Sequence, residues 1–124
     1  MRKAFLILAV ITSILSINLA EANMAAAYNF GDFRSETLAT KAWGALAQND
    51  IEAVLAYTNK CIELYAEQAK KMQDSLKDYA KGSNDEIFSF WALNDVATSL
   101  FIQGEAYRNA NMKAEAKEVY NKII

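Results

Sequence analysis

Apolar residues recur at three- and four-residue intervals through most of the chain after Arg34, and strict alternation is hard to find. Between Ser35 and Gln48 the spaced set is Leu38, Ala39, Ala42, Trp43 and Leu46. That is one buried face of a helix, with Ser35 as its expected N-cap. Gln48-Asn49-Asp50 interrupts the pattern, and Asp50 can cap the segment that follows. From Ile51 to about Ala80 the series Ile51, Leu55, Thr58, Ile62, Tyr65, Ala69, Met72, Leu76 and Tyr79 forms a continuous seam. A seam of that length predicts a partner helix packed along most of it. The opposite face carries Glu63, Glu67, Lys70, Lys71, Asp74, Lys77, Asp78 and Lys81, acids interleaved with bases, and reads as solvated.

Lys81-Gly82-Ser83 predicts the end of that helix, with Gly82 as terminator. Ser83 and Glu86 stand at capping-box spacing for the next. A third helix is predicted from about Asp85 to about Asn109, and it carries two neighbouring stripes. Phe90, Leu93, Ala97, Leu100, Gly104 and Tyr107 are mostly apolar and are expected to form core. Trp91, Asn94, Thr98, Phe101, Glu105 and Arg108 mix aromatic, amide, hydroxyl and charge. A tight turn at Asn109–Met112 leads to a fourth helix running to the end of the chain. Ala116, Val119, Tyr120 and Ile123 make its buried face, and Lys113, Lys117 and Lys122 its wet one. The pattern therefore predicts an all-α domain over residues 35–124, built from antiparallel helix pairs, with the second and third helices forming an elongated central hairpin.

Composition supports that fold and narrows the chemistry. Proline is absent, so no ring interrupts a helix. Histidine is absent too, which removes the usual general base at neutral pH and the commonest metal ligand. Cys61 is the only cysteine, so neither an intramolecular disulfide nor a cysteine-built zinc site can form. Its expected role is an inert core thiol, with an intermolecular disulfide as the other option. The formal charge of −2 comes without a concentrated basic footprint, which argues against nucleic-acid binding. Glu115 and Glu118 lie on an exposed helix with no visible pocket and are assigned no chemistry. Asp95, inside the apolar stretch LNDVA, either bonds a neighbour such as Asn94 or Ser99 or faces solvent.

The first 22 residues have the three parts of a secretory signal. Arg2 and Lys3 are the positive region, Ala4 to Ile17 the apolar run, and Ala20-Glu21-Ala22 the small-x-small cleavage pattern. The expected product is secreted or periplasmic and free of the membrane after cleavage following Ala22. An uncleaved anchor is the competing reading, although the run falls short of the ~20 residues that span a bilayer. Residues 23–34 are expected to be a flexible spacer, with Tyr28, Phe30 and Phe33 tucked into a groove as the alternative.

Gly104, Tyr107, Ala116 and Tyr120 stand at the spacing of the close-contact glycine, first-helix aromatic, small residue and large residue of a tetratricopeptide repeat. Ala42, Val54, Thr58 and Cys61 form a weaker copy, with Ala45 where an aromatic is usual. The chain thus resembles a TPR-like helical repeat protein over roughly residues 35–124. It departs from the family in three ways: the copies lie 62 residues apart (Ala42 to Gly104) instead of about 34, no proline closes a unit, and the chain stops inside the expected last helix. The resemblance implies peptide binding on the surface formed by the first helix of each pair. That surface would comprise Trp91, Asn94, Thr98, Phe101, Glu105, Arg108 and Asn109, opposite Glu36, Ala39 and Trp43. Trp43 and Trp91 are also expected to act as packing anchors.

The function these features imply is an exported adaptor that binds a protein or peptide in the cell envelope. It would have no enzymatic activity, cofactor or metal of its own. The alternatives are a self-associating structural module that pairs through the C-terminal helix, and an accessory domain of a glycan-acting envelope enzyme.

Overall fold

The computed structural model describes residues 27–78 and 82–123. The expected signal peptide (1–22), the first part of the spacer and the far end of the expected second helix lie outside the described residues. Among the described residues five helices follow one another: α1 Ser35–Ala47, α2 Ile51–Ser75, α3 Asn84–Phe88, α4 Trp91–Asn109 and α5 Lys113–Tyr120. No strand occurs among the described residues, and the chain is all-α. None of these helices is long and apolar enough to cross a membrane.

Local chemistry sets most of the boundaries. Asp50 caps α2, its carboxylate accepting from the Ala53 N–H at 3.0 Å. Ser83 caps α3 by accepting from the Glu86 N–H. Two asparagines then turn the chain in the same way. Asn49 and Asn111 take left-handed backbones, with φ of 55° and 60°, a conformation asparagine tolerates better than most residues. After α1, the Asn49 N–H donates to Leu46 O and the Asp50 N–H to Ala45 O. After α4, the Asn111 N–H donates to Arg108 O and the Met112 N–H to Tyr107 O. Both are Schellman motifs, which satisfy the last carbonyls of a helix while reversing the chain.

Four expected boundaries move, one of them at α5, which ends at Tyr120 and leaves Ile123, expected on its buried face, exposed. Ser35 is not the cap of α1. Arg34 occupies that position without a side-chain hydrogen bond, and the buried Ser35 hydroxyl is committed to Asp95 instead. The second helix ends at Ser75, short of Lys81-Gly82: the Ser75 hydroxyl donates to Met72 O, and Leu76 is extended with ψ of 128°. The single third helix is two. Ser89 Oγ donates to Glu86 O, a local bond that competes with the helical ladder, and the chain bends through Ser89 and Phe90 before α4 begins. Asn94 Nδ2 then donates to Ile87 O at 3.1 Å, fastening α3 to α4.

The longest interface joins α2 and α4. They run antiparallel: Thr58 meets Gln103, Cys61 lies against the Asp95 carbonyl, and Tyr65 meets Trp91. α1 runs parallel to α4, because Ser35 meets Asp95 near both starts and Trp43 meets Phe101 further along both. α5 packs back on α4. Leu38, Val54, Cys61 and Ile102 are fully buried, and each large aliphatic among them contributes about 1.5–3 kcal/mol by leaving water.

The core stripe of α4 is not the expected one. Phe90, Leu93, Ala97, Leu100 and Tyr107 are only half-buried, and Gly104 alone of that set is buried. The residues that face inward are Ala92, Val96, Ser99, Ile102, Gln103 and Ala106. Leu93 and Leu100 lie at the margin, packed partly buried against the cluster of Ala69, Ala92 and Val96. Gln103 is buried without penalty because its amide donates to Thr58 Oγ1 and Asn59 Oδ1, both at 2.7 Å, while Thr58 donates to Val54 O.

The described part of the spacer, residues 27–34, is packed against the domain. Phe30 is 5% exposed and sits with Leu38, Ala56 and Cys61. The rings of Tyr28 and Phe30 meet that of Tyr57 edge-on. Two Asx turns shape the segment: Asn29 accepts from the Gly31 N–H and Asp32 from the Arg34 N–H. Residues 27–34 thus follow the tucked alternative and not the flexible one, with Phe30 buried, Tyr28 partly so and Phe33 left exposed.

Candidate functional site

α1 and α4 share a face on which large aromatics remain in contact with solvent. Trp43 of α1 and Phe101 of α4 are 44% and 43% exposed, with ring centroids 6.2 Å apart. Tyr120 of α5 continues the row, its centroid 6.2 Å from that of Phe101. Neither Trp43 nor Trp91 is a buried anchor: Trp91 is also 44% exposed. Both rings instead make partial contacts, Trp43 with Phe101 and Trp91 edge-on to Tyr65 at 5.6 Å.

The expected binding residues fall into distinct settings. Trp91 walls a cavity of about 330 Å³ at the start of the face, together with Arg34, Ser35, Glu36, Tyr65 and Asp95. Asn94 is exposed but already committed to Ile87 O. Thr98 is half-buried. Phe101 lies in the aromatic row. Glu105 accepts from Tyr120 Oη at 2.6 Å and from the Arg108 guanidinium at 2.5 Å. The tyrosine hydrogen bond, reinforced by Arg108, holds the Glu105 carboxyl below its ordinary range, while burial and the adjacent carboxylate push the Tyr120 hydroxyl up. Asn109 is separate from the rest: it lines a depression of about 300 Å³ at the turn end of the molecule, with Leu46, Ile51, Val54 and Ala106. Of the matching residues on α1, Glu36 and Trp43 are exposed, whereas Ala39 is buried.

Comparison with known protein families, with curated proteins and with solved structures finds no match. The functional reading therefore rests on the residues themselves. Cys61 is buried, and burial raises its thiol above the ordinary value, partly offset by Ser99. Apart from that thiol, the Ser99 hydroxyl is the one buried side-chain polar group among the described residues without a hydrogen-bond partner. No cluster of three or more potential metal ligands occurs among the described residues. What the face offers is apolar ring surface beside hydrogen-bonding groups.

Arg34, Ser35, Tyr65 and Asp95 were not legible as site residues. They come from the lead-in, two different helices and the buried seam of α2. The one available signal was Asp95, a carboxylate in an apolar stretch.

Proposed function

We propose that this chain is an exported, non-catalytic helical adaptor that binds an extended segment of a partner protein along the face shared by α1 and α4. The observation that carries this reading is the row Trp43–Phe101–Tyr120, which spans three helices and has its first two rings exposed and its third half-buried. Exposed rings in a row are a costly use of apolar surface unless a partner covers them, and aromatic anchors dominate binding energy at such surfaces. The Glu105–Arg108 pair at the end of the row supplies polar groups for a peptide backbone. Export is proposed from the N-terminal pattern of Arg2, Lys3 and Ala20-Glu21-Ala22.

Selection of displayed random peptides against the full chain tests the reading. Recovered peptides should lose at least about tenfold in affinity for the Trp43→Ala, Phe101→Ala double variant, the loss of a hot-spot pair. Unchanged affinity, with helicity intact, would remove the proposed face.

A second reading, self-association, is favoured by a different observation. Leu93, Ala97, Leu100 and the exposed Ile123 line a groove with Ala66 and Ala69, and a second copy could cover it. Light scattering at low and high concentration decides this, and a monomer throughout excludes it.

A further inference from the structure

The cavity at the start of the α1/α4 face is built with more order than the rest of that surface. Two of its walls are aromatic, Trp91 and Tyr65, set edge to face with an interplanar angle of 79°. Tyr65 is held in place by its hydroxyl, which donates to Phe33 O at 2.8 Å. That bond anchors the ring to a residue in a left-handed backbone, φ 61°, a conformation that persists only where surroundings impose it. The third wall is the Asp95 carboxylate, half-buried and oriented by the Ser35 hydroxyl, which donates to Oδ2 at 2.5 Å.

Charge gives the cavity its chemistry. Arg34 and Glu36 pair with each other at 3.7 Å across its rim, both well exposed. That leaves Asp95 as the remaining charge, and no lysine or arginine among the described residues pairs with it. The carboxylate lines the cavity beside two aromatic rings and has a hydroxyl, not a cation, as its hydrogen-bond partner. A cation placed there meets the carboxylate directly, in a cavity that Trp91 and Tyr65 also line, and carboxylate and aromatic rings both attract cations. The volume, about 330 Å³, admits one long side chain.

We propose that this cavity receives a lysine or arginine side chain of the bound peptide and sets the specificity of the face. The proposal rests on the peptide-binding reading above and adds to it a basic residue at a defined position. The aromatic row lies about 15 Å further along α4, from Trp91 to Phe101, and takes apolar side chains of the same segment, so the preferred ligand carries a basic residue about four or five positions from large apolar ones.

The chain has two tryptophans, which makes the test internal. Trp91 reports on the cavity and Trp43 on the aromatic row. Indole N–H signals of the labelled full chain are followed by NMR during titration with capped Gly-Arg-Gly, Gly-Lys-Gly, Gly-norleucine-Gly and Gly-Glu-Gly. The two basic peptides should move the Trp91 signal saturably, and the norleucine and glutamate peptides should not. Asp95→Asn, whose amide oxygen still accepts from Ser35, should weaken the basic peptides by about tenfold. On the unmodified chain, raising the salt concentration should weaken them as well. Equal response to norleucine, or an affinity indifferent to both Asp95→Asn and salt, overturns the proposal. A moving Trp43 with a silent Trp91 overturns the cavity while leaving the face standing. The converse loss, in which selected library peptides ignore Trp43→Ala and Phe101→Ala, removes the face and not the cavity.

Discussion

In the first helix pair, Ala42 of α1 and Val54 and Thr58 of α2 are completely buried. The residues 62 positions later in the second pair are Gly104, Ala116 and Tyr120, the same offset that separates the two turn asparagines, Asn49 and Asn111. Gly104 and Ala116 are buried, but Tyr120 is only half covered. The two pairs divide volume differently between equivalent places. The first combines a methyl with a threonine, whose hydroxyl serves Gln103 of α4. The second combines a bare glycine with a tyrosine ring, and a Cβ at Gly104 would overlap that ring. A shared turn and spacing are thus compatible with two packings. The first pair is enclosed by the rest of the domain, and the second stands at its edge with its large residue reaching a surface carboxylate.

The most direct way to break this comparison is to cut a fully buried aliphatic in each half. Leu38→Ala and Ile102→Ala should each cost about 2–5 kcal/mol in urea unfolding. A loss below about 1 kcal/mol at either site would mean that half does not share the common core. Glycine substitutions sharpen the contrast with opposite signs. Gly104→Ala should destabilise by about 1–3 kcal/mol, the usual range for overpacking. Gly44→Ala in α1, where an added Cβ meets nothing within 4 Å, should stabilise by about 0.5–1 kcal/mol. Thermal melts of both variants read the difference, and equal shifts would erase it.

The smallest expected effect concerns the edge alone. The folded-state pKa of Glu105 is depressed by Tyr120 and Arg108. Its contribution is therefore fully present above the unfolded glutamate value of about 4.3 and is lost as pH falls through the lower folded value. Solvent screening limits the effect to under about 1 kcal/mol. The acid-side slope of stability should be shallower in Glu105→Gln, and an unchanged slope would show that the α4–α5 contact does not depend on this carboxylate.

Local signals were the legible part of the fold. The all-α class, the cap at Asp50, the cap at Ser83, the turns at Asn49 and Asn111 and the solvated face of α2 all follow from short-range patterns, because a cap or a left-handed turn needs only the residues within a few positions of it. The exposure of Asn94, Phe101 and Arg108 also follows from their common stripe, whereas Trp91, expected to be a packing anchor, is exposed.

What local pattern could not rank was which stripe of α4 faces α2. Leu93 and Leu100 are more apolar than Ala92, Ser99 or Gln103, yet the smaller set is inside. The sequence by itself determined the all-α class, the caps at Asp50 and Ser83 and the turns at Asn49 and Asn111. The tertiary structure decided which residues of α4 are buried, the burial of Phe30 from the lead-in, and the meeting of Ser35, Tyr65, Trp91 and Asp95 in one cavity. Each of these depends on the distance between elements remote in sequence, and helix spacing is set by the fit of two surfaces, which neither surface carries alone.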